Sequence, residues 1–248
     1  MNEPLHLWIG WDSRQPLSYD VFRSSLERRT SRPLHVRPLM LKPLRSEGLY
    51  TREHIVKDGQ AWDSISGAPM STEFALSRFL VPHLQRAEPC EAHQREAGWC
   101  LFAECDMLAL ADIAELFALA DDRYAVMCVK HVYRPKELRK MDAQRQTHYP
   151  CKNWSSLMLI NASHPANRRL TVEMVNTLRG RDLHSFCWLE RDDIGELPAE
   201  WNHLLGEEGQ ASHPKLLHYT LGTPETLMAP WLHECMRLRR ALPAEMVA

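Results

Sequence analysis

The run Trp99-Cys100-Leu101-Phe102-Ala103 most narrows what this chain can fold into. Five apolar residues in succession, with no polar alternation, suit a strand buried on both faces. The run ends in two carboxylates one residue apart, Glu104 and Asp106, and then passes through Met107-Leu108-Ala109-Leu110 to a helix start at Asp112. Strand side chains alternate faces, so Glu104 and Asp106 point the same way. Two hard oxygen donors at the end of an apolar strand suit Mg2+ or Mn2+, and ions held in this way keep open positions that phosphates fill. The same pair also reads as solvated acids closing a strand. Asp112 and Glu115 have a sufficient role as an Asp-x-x-Glu capping pair for a helix over 113–119. Capping requires neither Glu104 nor Asp106.

Strand and helix signals alternate along the rest of the chain. Strands are expected at 5–9, closed by Gly10, and at 33–37, 124–129, 155–161 and 215–219. Pro16 suits the first position of a helix reaching about residue 29. Further helices are expected over 71–84, capped by Ser71, and over 165–178, with a long excursion at 41–70. This alternation predicts an α/β fold, a mainly parallel sheet covered by helices on both faces. Ligands of such sheets bind beyond the carboxyl ends of the strands, where 10–14 and 104–106 both fall.

Bulk properties exclude more than they select. At 248 residues the chain is long enough for one large α/β domain or two small ones. A formal charge of −2 gives no sign of nucleic acid or membrane as an overall partner. Charge does collect between Lys130 and Lys152, where seven Lys or Arg face only Glu137 and Asp142, a local excess of five. A basic loop opposite an acidic metal site suits a diphosphate, and a solvated loop is the alternative. The seven cysteines include no C-x-x-C pair, which points to a reducing, cytoplasmic compartment. The N-terminus lacks the pattern of a signal peptide, and no apolar run approaches the roughly 20 residues of a spanning helix. The expected organisation is one domain over 1–226 and a helical tail over 227–248. In that tail, Trp231, Leu232, Met236 and Leu238 lie among Arg237, Arg239 and Arg240. Such a helix suits peripheral contact with a membrane, or packing against the domain or a second subunit of a homo-oligomer.

Five segments, in order, resemble the family 8 glycosyltransferases, of which glycogenin and the bacterial lipopolysaccharide galactosyltransferases are members. They are the first strand with Gly10-Trp11-Asp12, Ser77-Arg78-Phe79-Leu80-Val81-Pro82, Leu101-Phe102-Ala103-Glu104-Cys105-Asp106-Met107, the strand from Asn153 to Asn161, and His218-Tyr219-Thr220-Leu221-Gly222. The similarity runs from about residue 5 to 224 and is nearest to a bacterial branch of the family. The resemblance implies a GT-A fold, a UDP-sugar donor, a divalent metal (Mn2+ or Mg2+) and transfer with retention to a glycan or lipid-linked acceptor. Asp106 and His218 would be metal ligands, with Glu104 in the place of the first acid of an Asp-x-Asp motif. Asp12, beside Gly10 and Trp11, would lie against the uracil, and Arg78 would contact the donor. Asn153 and Asp193 would face the transferred sugar, with Asp192 second to Asp193, ahead of a shared Leu-Pro-x-x-Trp-Asn run (197–202). Gly222 closes the His-x-x-Gly element.

Departures from the family pattern leave a second reading open. Glu104 is one methylene longer than Asp. Thr223-Pro224-Glu225 stands where relatives carry Lys-Pro-Trp, so a diphosphate-holding lysine is missing there; Lys130, Lys140 or Lys152 could take its role. The alternative is a non-catalytic nucleotide-sugar-binding or partner-binding module. A sugar-1-phosphate nucleotidyltransferase would carry a glycine-rich loop after the first strand, yet no Gly-Gly pair occurs in the chain.

Overall fold

The computed structural model describes residues 3–57, 59–88, 98–132, 151–206, 211–220 and 228–241. The chain begins with β1 (Leu5–Gly10), α1 (Pro16–Glu27), β2 (Leu34–Leu39) and α2 (Leu41–Ser46). A meander follows, β3 (His54–Lys57), β4 (Gln60–Asp63) and β5 (Ala68–Pro69), and then a 3-10 turn, Ser77–Leu80, runs into α3 (Val81–Ala87). Next come β6 (Trp99–Ala103), β7 (Met107–Ala109), α4 (Ile113–Phe117), β8 (Val126–Cys128) and β9 (Leu157–Asn161). The C-terminal third supplies α5 (Val172–Thr177), α6 (Gly180–His184), β10 (Ile194–Glu196), β11 (His203–Leu204), β12 (Leu216–His218) and α7 (Met228–Ala241).

Six strands form the central sheet in the order β10-β8-β9-β6-β1-β2. Only β9 runs against its neighbours, so the expected mainly parallel α/β sheet is present. Strand β6 lies inside it, between β1 and β9, and Cys100–Ala103 are all at most 1% exposed. That position accounts for the unbroken apolar run, because both faces are covered. A second small sheet, β11-β12-β7, sits where β6 ends, and its β7 begins one residue after Asp106.

Several elements differ from the sequence expectation. The helix expected over 71–84 is a 3-10 turn and a short α-helix beginning at Val81, with Pro82 in its first turn. The helix expected over 165–178 divides at Leu170, where Thr171 caps α5 by accepting from the Met174 N–H. Asp112 caps α4 through the Ala114 N–H, but Glu115 turns outward to Lys215 (3.0 Å) instead of closing a capping box. The excursion at 41–70 contains the antiparallel meander, whose strand β3 is exposed throughout and so carries no apolar period.

The tail helix α7 packs on α1. Glu234, 2% exposed, accepts from Arg28 at 2.9 and 2.8 Å and from Ser24 at 2.9 Å. Cys235, Trp231 and Leu238 join a small apolar cluster with Val21, Leu108, Leu205, Leu217 and Tyr219, while Leu232 and Met236 stay exposed. Among the described residues no helix is long and apolar enough to cross a membrane.

One buried ion pair ties the meander to the domain. Arg52 and Asp63 are 2% and 1% exposed and bond at 2.9 and 2.5 Å. Arg52 also donates to the carbonyls of Val175 and Leu178, and Asp63 accepts from the Ser66 N–H. Removing one partner leaves an uncompensated charge, at a cost of about 3–5 kcal/mol. Arg52→Met is therefore expected to lower unfolding free energy by roughly that amount in urea denaturation, and a loss below ~1 kcal/mol would contradict this role for the pair.

Candidate functional site

Three backbone constraints assemble the site. Strand β6 delivers Glu104, whose N–H donates to the Ser156 carbonyl at 3.0 Å. Asp106 comes next, and β7 then pairs antiparallel with β12 so that His218 stands opposite Met107. The Tyr219 N–H donates to the Asp106 carbonyl at 2.8 Å and locks that register. The result brings Glu104, Asp106 and His218 together, with one ligand-capable atom from each within 4.8 Å of the others. His218 Nε2 lies 3.2 Å from Glu104 Oε2 and 3.4 Å from Asp106 Oδ1.

The other face of the imidazole is fixed by Asn202, whose Oδ1 lies 2.9 Å from His218 Nδ1. Asn202 Nδ2 faces the Asn153 carbonyl (3.4 Å) and Ser156 Oγ (2.9 Å). A carbonyl can only accept, so the amide points its oxygen at His218 and the Nδ1 position carries the hydrogen. Nε2 is then the atom presented to the acids. Burial disfavours a charged imidazole, yet the Asp106 and Glu104 carboxylates outweigh it and push His218 up to about 9.

Arg78 completes the cluster. It is 3% exposed and donates to Glu104 Oε1 (2.6 Å), the Ser155 carbonyl (2.9 Å) and the Phe74 carbonyl (3.4 Å). Its guanidinium lies 5.1 Å from the Phe102 ring and 5.4 Å from that of Phe74. The anionic partner that a buried Arg78 requires is thus Glu104. Burial would raise the Glu104 carboxyl, but Arg78 and His218 hold it well below the usual range. Behind them, His184 Nδ1 meets Ser155 Oγ at 2.7 Å, and its ring packs on Phe79.

A cavity of about 380 Å³ opens beside this cluster. Arg78, Glu104, Lys152, Asn153, Ser155 and His184 line it, together with Gln60, Asp63 and Ser66 of the meander and Arg179, Gly180 and Arg181 at the start of α6. Asn153 takes a left-handed backbone (φ 65°), a conformation that asparagine tolerates.

The other residues singled out from sequence are placed as follows. Asp12 is buried at the end of β1, and its carboxylate accepts from Arg14 at 2.9 and 2.6 Å and from the Glu73 N–H at 3.1 Å. Burial pushes its carboxyl up, but the Arg14 bonds hold it below its ordinary value. Gly10 lies under the Phe74 ring, where a Cβ would come within 2.5 Å of ring carbon, and Trp11 packs on the core edge. Lys130 donates to the Ile194 carbonyl at 2.8 Å and does not line the cavity. Asp193 accepts from Arg169 (2.8 Å) and caps its own 3-10 turn; neither it nor Asp192 lines the cavity. Gly222, Lys140 and the 223–225 segment lie outside the described residues. Asn202 and His184 had no role assigned from sequence. A carboxamide following Trp201 is a weak signal, and a histidine in a short helix is none.

No family model matches the sequence. The chain is 44% identical over 227 residues to Protein CDI of Arabidopsis thaliana, covering 90% of this chain and 80% of the plant protein. The chain belongs to the Protein CDI family. Among solved structures it is similar to the bifunctional glycosyltransferase WbbM, at TM-score 0.62 and 13% identity over 97% of this chain. This chain spans 52% of the WbbM chain. It is also similar to the galactosyltransferase LgtC, solved with donor and acceptor sugar analogues, at TM-score 0.55 and 11% identity, covering 97% of this chain and 98% of LgtC. These likenesses establish the fold, which is that of the GT-A glycosyltransferases.

His184 sets a pH dependence. Burial, reinforced by the Arg78 charge, pushes it down to about 3, from an ordinary value of 6.5. Between those values the unfolded chain binds a proton that the folded chain does not, so stability falls as pH drops from 6.5 towards 3. His184→Asn is expected to flatten that fall in denaturation midpoints measured between pH 7 and 5. An unchanged slope would show that the imidazole is not held neutral.

Proposed function

We propose that the chain is a metal-dependent, retaining glycosyltransferase of the family 8 type, taking a UDP-sugar donor and a glycan or lipid-linked acceptor. The observation that carries this reading is the convergence of Glu104, Asp106 and His218, with Glu104 on the cavity wall. The donor set fits a divalent cation. Asp106 Oδ1 is a buried oxygen without a hydrogen-bond partner, and His218 Nε2 is turned to the same point by Asn202. Two carboxylate oxygens and one imidazole nitrogen suit Mn2+ or Mg2+. When bound, such an ion stabilises the charge that grows on a departing diphosphate.

The protein's own groups do the rest. Arg78 keeps Glu104 ionised and aimed, and Asn202 keeps His218 in one tautomer. Lys152, on the cavity wall, supplies a cation for the diphosphate. Asn153 supplies an amide to the sugar from the same wall. The leaving phosphate oxygen takes the acceptor proton, so no side chain has to act as a strong base. Asp192 and Asp193 carry no step in this reading, because Arg169 and the turn occupy Asp193 away from the cavity.

Incubation with a panel of UDP-sugars and Mn2+ is expected to release UDP slowly even without acceptor. Asp106→Asn is expected to cut that release at least 100-fold and weaken Mn2+ binding, read by electron paramagnetic resonance. Asn202→Ala is expected to weaken Mn2+ binding about tenfold or more while leaving the ligands in place. Metal-independent UDP binding without turnover would favour the non-catalytic module instead, and no UDP binding at all would remove both.

A further inference from the structure

We infer that the sugar occupying the cavity carries a negative charge, a carboxylate or phosphate, recognised by Arg179 and Arg181; this rests on the transferase reading of the same site. Four cations and two acids line the cavity: Arg78, Lys152, Arg179 and Arg181 against Asp63 and Glu104. Both acids are already compensated. Asp63 is bound by Arg52 from behind, and Glu104 by Arg78. A diphosphate at the acidic cluster draws on Lys152, the cation nearest in sequence to Asn153. Arg179 and Arg181 remain; among the described residues, the half-exposed Asp182 lies 3.4 Å from Arg181.

Both side chains are exposed, and a fixed backbone is what distinguishes them from other surface charges. Gly180, between them, donates its N–H to Ser66 Oγ at 2.8 Å. A Cβ at that position would meet Leu76 at 2.9 Å, so the chain passes here without a side chain between the meander and the 3-10 turn. Arg179 and Arg181 thereby flank a pinned residue, and both line the cavity wall. A guanidinium presents a planar fork that matches a carboxylate or phosphate with two parallel bonds, which an ammonium does not. Both arginines are exposed at the cavity edge, so an anion on the sugar adds a bidentate partner to cations that water already reaches.

The charge could sit on the transferred sugar or on the acceptor, and binding measurements separate the two. Isothermal titration of the full chain with methyl β-glucuronide, glucose 6-phosphate and neutral methyl β-glucoside, with and without UDP and Mn2+, tests the acceptor. Titration with UDP-glucuronate against UDP-glucose tests the donor. The expected result is a preference of about tenfold or more for the anionic partner in one arm. Arg179→Gln/Arg181→Gln is expected to erase that preference, and Arg179→Lys/Arg181→Lys to keep part of it, with thermal midpoints confirming that both variants fold. Equal affinity for charged and neutral ligands in both arms overturns the inference, as does a preference surviving in the glutamine variant or inorganic phosphate competing as strongly as the anionic sugars. A preference for the anionic glycosides without any UDP binding would instead sink the transferase reading and leave the charge recognition standing.

Discussion

The antiparallel pairing of β7 with β12 is the constraint on which the site depends. Asp106 and His218 are 112 positions apart, and nothing local relates them. They meet because His218 stands opposite Met107 and the Tyr219 N–H closes on the Asp106 carbonyl. A strand's side chains alternate faces, so a slip of one residue would turn the imidazole to the opposite side of this small sheet. Glu104 would then keep Arg78, but Asp106 would lose the imidazole that now faces it. The same sheet places Asn202: it immediately precedes β11, and the parallel pairing of β11 with β12 sets His203 beside Leu217. His218 and its positioning amide are thus set by one three-stranded unit.

Charge balance inside the cluster follows from this geometry. Two carboxylates at the end of a buried strand repel each other and lose hydration. Arg78 on one side and His218 on the other answer both costs, and each cation is itself anchored by neutral groups: Arg78 by two carbonyls, His218 by an amide. The cluster is therefore satisfied from within on the protein side while Asp106 Oδ1 keeps an oxygen free of hydrogen bonds. An arrangement that is stable yet leaves Asp106 Oδ1 facing the imidazole without a hydrogen bond suits a site that takes up a ligand.

What could be read from the sequence divides along the same line. Strand β6 was legible because its burial on both faces leaves no polar interruption, and the shared face of Glu104 and Asp106 followed from strand alternation alone. Arg78 entered through resemblance as a donor contact, and nothing in the sequence marked Glu104 as its anion. His218 entered only through resemblance, since a strand of three residues announces no long-range partner. The meander escaped detection because exposed β3 has no apolar alternation, and the 71–84 helix was misjudged because the turn at Ser77–Leu80 is set by packing of Phe74 against Gly10 and Phe102 rather than by propensity.

The glutamate at 104, where the sequence resemblance would put an aspartate, has a local reason. Arg78 cannot move toward a shorter acid, because the Phe74 and Ser155 carbonyls hold its guanidinium between the Phe74 and Phe102 rings. The pair must be closed from the acid's side, and the extra methylene supplies the reach that lets one oxygen meet Arg78 at 2.6 Å while the other faces His218 at 3.2 Å. An aspartate here would have to choose between them, leaving either a buried arginine without its anion or His218 with Asp106 alone. The longer side chain therefore fits a site whose cation is built in, and it accounts for the substitution without any loss of the three-residue cluster.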